Sequence, residues 1–279
     1  MKLSHPSAEL YIPDGRPPAE AFARTTHLGI GAHPDDLEFM TWWAILQCFQ
    51  VPERGFTGVT VTDGRGSSRV DEYAGYSDDE MRSVRLKEQK RAAMTGDYAA
   101  LVCLDYSSAE VRSPESRLVE DLIEILQTTR PREVYTHNLA DKHETHVAVT
   151  LAVIKALRSC AHRPDKLYGC EVWRGLDWML DADKVAFDVS AHENLTMSLM
   201  GVYDSQIAGG KRYDLATQGR KRANATYHMS HAADRASCLE LAMDMTALVE
   251  DPSLDPAAFV LAHVDRFRHD VEQRIRRLS

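Results

Sequence analysis

Cysteine is sparse in this chain, and the few present do not cluster. The five, Cys48, Cys103, Cys160, Cys170 and Cys238, contain no Cys-x-x-Cys pair. Free thiols are therefore expected, three of them in apolar surroundings, with neither a thiolate metal site nor a disulfide framework. Long apolar runs are missing as well: none approaches the roughly 20 residues that span a bilayer. Residues 1–25 have no apolar h-region and read as a polar, proline-bearing arm, so the expected location is cytoplasmic. Positive charge is also short, with 33 Lys and Arg against 42 Asp and Glu and a net charge of -9. Without a basic stripe to meet a phosphate backbone, a nucleic-acid partner is disfavoured. The one basic cluster, Arg266 to Arg277, is interrupted by Asp270 and Glu272 and reads as a solvated helix face. Internal repeats and low-complexity segments are absent. So is a Gly-x-Ser-x-Gly elbow, which disfavours a serine nucleophile.

What is present suits an ordinary globular domain, with 44% hydrophobic and 27% charged residues. His27 to Gly31 predicts a strand, Asp36 to Phe49 a helix, and Val59 to Thr62 a second strand. A Gly/Ser/Arg-rich loop, Gly64 to Ser77, leads to a charged helix over 78–96. Leu101 to Leu104 is a third strand. A helix over 114–129 follows, with Ser113 as its N-cap. Glu133 to Thr136 is a fourth strand, and His143 to Ser159 the next helix. Further on, Leu167 to Trp173 and Val185 to Val189 read as strands pairing with each other in an antiparallel extension. Ala191 to Tyr203 reads as helical, 204–226 as a loop and then a helix, and 256–278 as a final helix.

Strands alternating with helices predict an α/β fold: a Rossmann-like, doubly wound, mostly parallel sheet with helices on both faces. The expected organisation is one domain over 26–279, with a core at 26–160 and a C-terminal α+β extension at 161–279. Ligands collect beyond the carboxyl ends of such strands. His33-Pro34-Asp35-Asp36, the Asp63 to Ser68 loop and His137 to His146 all follow strand ends.

Catalytic zinc takes three His or carboxylate ligands and leaves a position open for water. His33 and Asp36 could supply two. His143-Glu144-Thr145-His146 offers two imidazoles three residues apart, one for the ion and one for the substrate. Taken singly, each motif could instead be a helix cap or a solvated face. Their coincidence at two strand-to-helix junctions of one sheet points to a metal-assisted hydrolase.

Ala32-His33-Pro34-Asp35-Asp36, followed by Asp141-Lys142-His143-Glu144-Thr145-His146, resembles the PIG-L/LmbE-like family of zinc-dependent N-deacetylases, over roughly residues 27–160. Weaker support comes from Thr62-Asp63-Gly64, Arg85-x-x-Glu88 and Leu104-Asp105-Tyr106. The resemblance implies one Zn²⁺ per chain held by His33, Asp36 and His146, with Asp35 as general base. It also implies that His143 stabilises the oxyanion or protonates the leaving amine. Where the family usually has Asp, this chain has Thr145, so Glu144, Asp141 or a more distant acid would have to take its part.

Asp63, Arg65, Arg69 and Arg85 are candidate substrate-binding residues, against the plainer readings of a turn aspartate and surface arginines. His137-Asn138 is expected to support the site through hydrogen bonds, and the 203–213 segment to form a loop over the rim. His228 and His231 are read as unrelated to the metal. The resemblance implies removal of an N-acetyl group from a GlcNAc-type sugar or glycoconjugate, with a small-molecule substrate and a possible homo-oligomer. The alternatives are an amidase acting on a thiol conjugate or other non-sugar amide, and a non-catalytic sugar- or nucleotide-binding module.

Overall fold

The short β-branched strands and intervening helices fold as their alternation implies. The computed structural model describes residues 1–229 and 231–279. In chain order the first half comprises β1 (Glu9–Tyr11), α1 (Pro18–Ala23), β2 (Thr25–Gly31), α2 (Asp36–Met40), α3 (Trp42–Cys48), β3 (Gly55–Thr62), α4 (Asp78–Thr95), β4 (Ala100–Tyr106), α5 (Ser108–Val111), α6 (Leu118–Thr129), β5 (Glu133–His137) and α7 (Glu144–Ser159). The second half adds β6 (Lys166–Cys170), β7 (Lys184–Asp188), α8 (Glu193–Gly201), α9 (Asp204–Ile207), α10 (Tyr213–Tyr227), β8 (Leu239–Asp244), α11 (Ala247–Glu250) and α12 (Pro256–Leu278).

The strands form one eight-stranded sheet in the order β1-β4-β3-β2-β5-β6-β8-β7. The central five, β4-β3-β2-β5-β6, are parallel, and antiparallel pairing is confined to β1 on β4, β8 on β6 and β7 on β8. From β2 the chain winds out through β3 and β4, then returns across β2 to β5 and β6. The reversal between β2 and β5 is the switch point at which such sheets open a crevice.

Each face of the sheet is closed by its own core. On one, Leu28 and Ile30 of β2 join Leu122 and Ile125 of α6 and Val149 and Val153 of α7. On the other, Leu37, Phe56, Tyr98, Leu199 and Tyr203 pack together. There β2 presents glycine: a Cβ on Gly29 would lie 2.6 Å from the Phe56 ring and 2.9 Å from Leu37. The missing side chain lets α2 dock directly on β2, the strand that leads into His33.

The structure corrects several expectations. Residues 1–25 are not merely an arm: Glu9–Tyr11 pairs with Leu101–Cys103, and Ala21 and Phe22 are buried. A three-residue strand is too short to show a period, and Pro18, at the helix start, was the available signal. The helix expected over 36–49 breaks at Thr41, where the Glu240 carboxylate accepts from the backbone N–H groups of Trp42 at 2.9 Å and Trp43 at 3.3 Å. A cap delivered from a distant strand is invisible to local periodicity. Ser113 does not cap α6, which starts at Leu118 after Arg117. The strands near 167 and 185 do not pair with each other, because β8, unread in the sequence, lies between them.

The final helix, α12, has no buried residue; Phe259 and Val260 lean on the core and Arg266 reaches Asp183 at 2.8 Å. Its basic residues Arg268, Arg274 and Arg276 pair with acids of the same helix, as a solvated face would. All five cysteines are free and buried. Among the described residues no helix is long and apolar enough to cross a membrane.

Candidate active site

The turn after β2 sets the site. Asp35 has φ +98°, a left-handed conformation that a side-chain-bearing residue holds only when its surroundings over-determine it. They do: the Asp35 N–H donates to Gln89 Oε1 at 3.1 Å, and its carboxylate accepts from Arg85 Nη2 at 2.6 Å. Arg85 also donates to the Pro34 carbonyl, to Glu88 at 3.1 Å and to Ser205 Oγ at 3.2 Å. Only 1% exposed, Arg85 is thus no surface arginine, and its Nη donors are engaged by protein partners. The neighbouring Gly64 has φ +74°, and a Cβ there would lie 2.9 Å from the Arg85 side chain. Bulk at that position would displace the arginine that holds Asp35.

Three potential ligand atoms converge beside this turn. His33 Nδ1 lies 3.3 Å from Asp36 Oδ2 and 3.1 Å from His146 Nε2, and His146 Nε2 lies 3.4 Å from Asp36 Oδ2. An ion bonded at 2.0–2.1 Å in tetrahedral geometry spaces its donors by about 3.3–3.4 Å. The donor set and its spacing therefore fit zinc. His146 Nδ1 faces Asp141 Oδ2 at 3.0 Å, which places its proton there and leaves the Nε2 lone pair free. Burial and the neighbouring His137 lower the His146 pKa to about 4, favouring the neutral ligand form.

Electrostatics separates the adjacent carboxyls. Burial raises Asp35 to about 6 despite the Arg85 charge beside it. Burial would raise Asp36 too, but the imidazoles of His146 and His137 hold it well below the ordinary range. Burial would lower His33, yet its hydrogen bond and charge contact with Asp36 raise it, putting a proton where a cation would also be favoured.

His143 stands over this cluster, its ring 4.8 Å from His33 and 4.7 Å from His146 between centroids. Burial and His33 lower its pKa, and its Nδ1 has no partner within the protein. Asp141 accepts from the His143 backbone N–H at 2.8 Å, but its bond to a ring goes to His146. It thus supplies a carboxylate to the motif despite Thr145, on the other histidine. His137, expected as a supporting residue, stacks on His146 at 3.8 Å and lies 3.3 Å from Asp36 Oδ2. It also accepts from the Ala32 N–H at 2.9 Å. Asp36, His137 and His146 form a second cluster of ligating atoms within 4.8 Å of one another.

His33, Asp35, Asp36, Asp63, Arg85, His143 and Thr145 line a cleft of about 450 Å³, whereas His137 and His146 are fully buried and are not among its lining residues. Arg65 and Arg69 do not line it. Arg65 is drawn to Asp63 and Asp79, each at 2.8 Å, and Arg69 to Asp78 at 2.6 Å, bracing the loop against the start of α4. Asp63 makes the turn contact with the Arg65 N–H at 3.0 Å while still bordering the cleft. Lys211 and Tyr213 lie on the rim, where the 203–213 loop was expected, whereas His228 and His231 are not among its lining residues. Phe39, Arg112 and Trp173 were not anticipated. Phe39 looks like a core position in sequence, and Trp173 was absorbed into a strand that actually ends at Cys170.

Residues 28–157 match the family model described as PIG-L: GlcNAc-PI de-N-acetylase. No curated protein matches the chain in sequence. In fold it is similar to the 4-carboxy-2-hydroxymuconate hydratase GalB from Pseudomonas putida KT2440, with TM-score 0.65 and 14% identity over 79% of this chain and 96% of that one. It is also similar to N,N'-diacetylchitobiose deacetylase from Pyrococcus horikoshii, with TM-score 0.63 and 16% identity over 86% and 90% of the two chains. The zinc-inhibited form of teicoplanin deacetylase Orf2 gives TM-score 0.59 and 16% identity over 79% and 97%. At such identities the likeness is one of fold, and one fold hosts several chemistries. The motif at the end of β2, the histidines before and within α7 and the matched model agree: residues 28–157 are a PIG-L family domain.

Proposed function

We propose that the chain is a metal-dependent hydrolase that removes an acetyl group from the nitrogen of a GlcNAc-type amino sugar or glycoconjugate. The observation that carries this reading is the 3.1–3.4 Å triangle of His33 Nδ1, Asp36 Oδ2 and His146 Nε2 beside a buried, strained Asp35. These three side chains would hold one Zn²⁺ or another divalent ion. When bound, such an ion supplies Lewis acidity, lowering the pKa of water from about 15.7 toward 7 and polarising a carbonyl.

Asp35, at about 6, is suited to take the proton from the attacking water and return it to the departing amine. The water oxygen bonds to the acetyl carbon, the C–N bond breaks, and acetate and a free amine leave. Arg85 keeps the Asp35 carboxylate aimed, and Asp141 keeps His146 in one tautomer. His143 can donate a hydrogen bond to the carbonyl oxygen as negative charge develops there.

The test is metal content measured alongside acetate release from acetylated amino sugars and acylated thiol conjugates. Acetate released from the sugars in proportion to bound metal is expected. Release from thiol conjugates alone would favour the amidase reading, and neither bound metal nor hydrolysis after zinc addition would favour a binding module. A second reading, hydration of an unsaturated carboxylate, draws on the hydratase fold match and on Arg112 and Lys211 at the cleft rim. Water addition to such a compound without acetate release would select it.

A further inference from the structure

Next to the cleft, and sharing residues with it, lies a second chamber of about 140 Å³. Phe39, Val172, Trp173 and Tyr213 line both spaces, so the two adjoin at a largely aromatic border. Within it, Tyr213 stands 5.5 Å from both the Phe39 and the Trp173 ring, and the Trp173 ring stacks 6.3 Å from His146. This border thus lies close to a candidate metal ligand.

Several polar residues of the chamber are already engaged by the protein. Lys221 and Glu240 form a buried ion pair, and Glu240 also accepts from the Trp42 N–H at 2.9 Å. Arg220 donates to the Val172 carbonyl at 3.2 Å, and Asn224 to the Leu239 carbonyl at 3.1 Å. What remains for a guest is largely the hydrocarbon of Phe39, Val172, Trp173, Tyr213 and Leu241, together with Glu171 Oε2 and Trp173 Nε1, which have no partner within the protein. An apolar cavity of about 150 Å³ is known to take one benzene-sized ring.

We propose that this chamber is a subsite for a ring-sized apolar group carried by the substrate, next to the amide that the cleft would process. As a substrate subsite it rests on the hydrolase reading; as a ring-binding chamber it does not. The group could sit on the amine side, as an aryl aglycone, or on the carbonyl side, as an acyl group larger than acetyl.

Two measurements separate the layers. The first is ligand-observed NMR with benzyl alcohol, which contains neither sugar nor amide. Binding is expected to the native chain and to be lost in Thr217→Trp and Ala216→Trp, which fill the chamber from α10; retained thermal unfolding shows that the variants fold. Undiminished binding in both folded variants would overturn the chamber, whatever the enzyme does. The second compares kcat/KM for N-acetylglucosamine, its phenyl glycoside and N-benzoylglucosamine. Burial of one ring predicts a preference of about tenfold or more for one of the aromatic compounds, shrinking toward unity in both variants. Ring binding with equal kcat/KM for all three would overturn the link to substrate. Ring binding with no amide hydrolysis at all would overturn that link together with the hydrolase reading, leaving the chamber itself in place.

Discussion

Residues 26–160 and 161–279 meet at one cleft but contribute different things to it. The first part brings His33, Asp35, Asp36 and His143 to the lining, on the turns after β2 and β5 or at the start of α2, with His146 buried in the first turn of α7. The second brings Trp173, Gln206, Lys211 and Tyr213 to the rim. It also steadies the first from behind. The buried Glu38 accepts from Tyr98 and Tyr203 hydroxyls, both at 2.6 Å, and from Gln89 at 3.0 Å. Gln89 in turn receives the Asp35 N–H. A candidate metal site needs few atoms at short spacing on rigid elements, whereas shape and support can be assembled from distant segments.

That contrast can be broken by experiment. The largest expected effect is in the first part: Asp35→Asn should lower kcat by about 10²–10⁴-fold with metal content unchanged. Activity within tenfold of the native chain would remove Asp35 from the chemistry. In the second part, Lys221→Met should destabilise the fold by about 3–5 kcal/mol in urea unfolding, because it leaves the Glu240 carboxylate buried without its cation. A loss below about 1 kcal/mol would mean that this pair does not hold the elaboration to α3.

Asp141→Asn should weaken zinc binding by about 10–100-fold in a competition titration, chiefly through the His146 tautomer. Unchanged affinity would show that the His146 ring is held by packing instead. A further effect concerns pH. Burial and the nearby Asp141 raise Glu171 to about 7 from an ordinary 4.5, so the folded chain favours its protonated form. Relative to Glu171→Gln, the native chain should be most stable below about pH 4.5 and lose that advantage progressively up to about pH 7. A flat difference between pH 4.5 and 8 would show that Glu171 ionises as freely folded as unfolded.

Much of the fold was legible because the central strands and longer helices carry their own periods: β2 to β5, α4, α6 and α7 all lie close to where the pattern puts them. What was missed depends on remote partners. β1 is three residues completed by β4, the break at Thr41 is capped from β8, and β8 is inserted between two strands that precede it in sequence. Among the site residues, Arg85 carried a motif signal but none for its burial, since an arginine is sequestered only where carboxylates and carbonyls converge on it. Trp173 and Phe39 had no separate signal, because lining two adjoining cavities leaves no period in a sequence.

By itself, the sequence determined the alternation of strands and helices, the absence of a paired-cysteine motif, and the residue types and spacings able to build a metal site. Those follow from local backbone preference and from side-chain chemistry, which need no partner to be read. Only the tertiary structure decided that Arg85 clamps Asp35, that Asp141 serves His146, and that Phe39, Trp173 and Tyr213 line both cleft and chamber. Each of these is a contact between segments far apart in the chain, settled by burial and by the need of buried polar groups for partners.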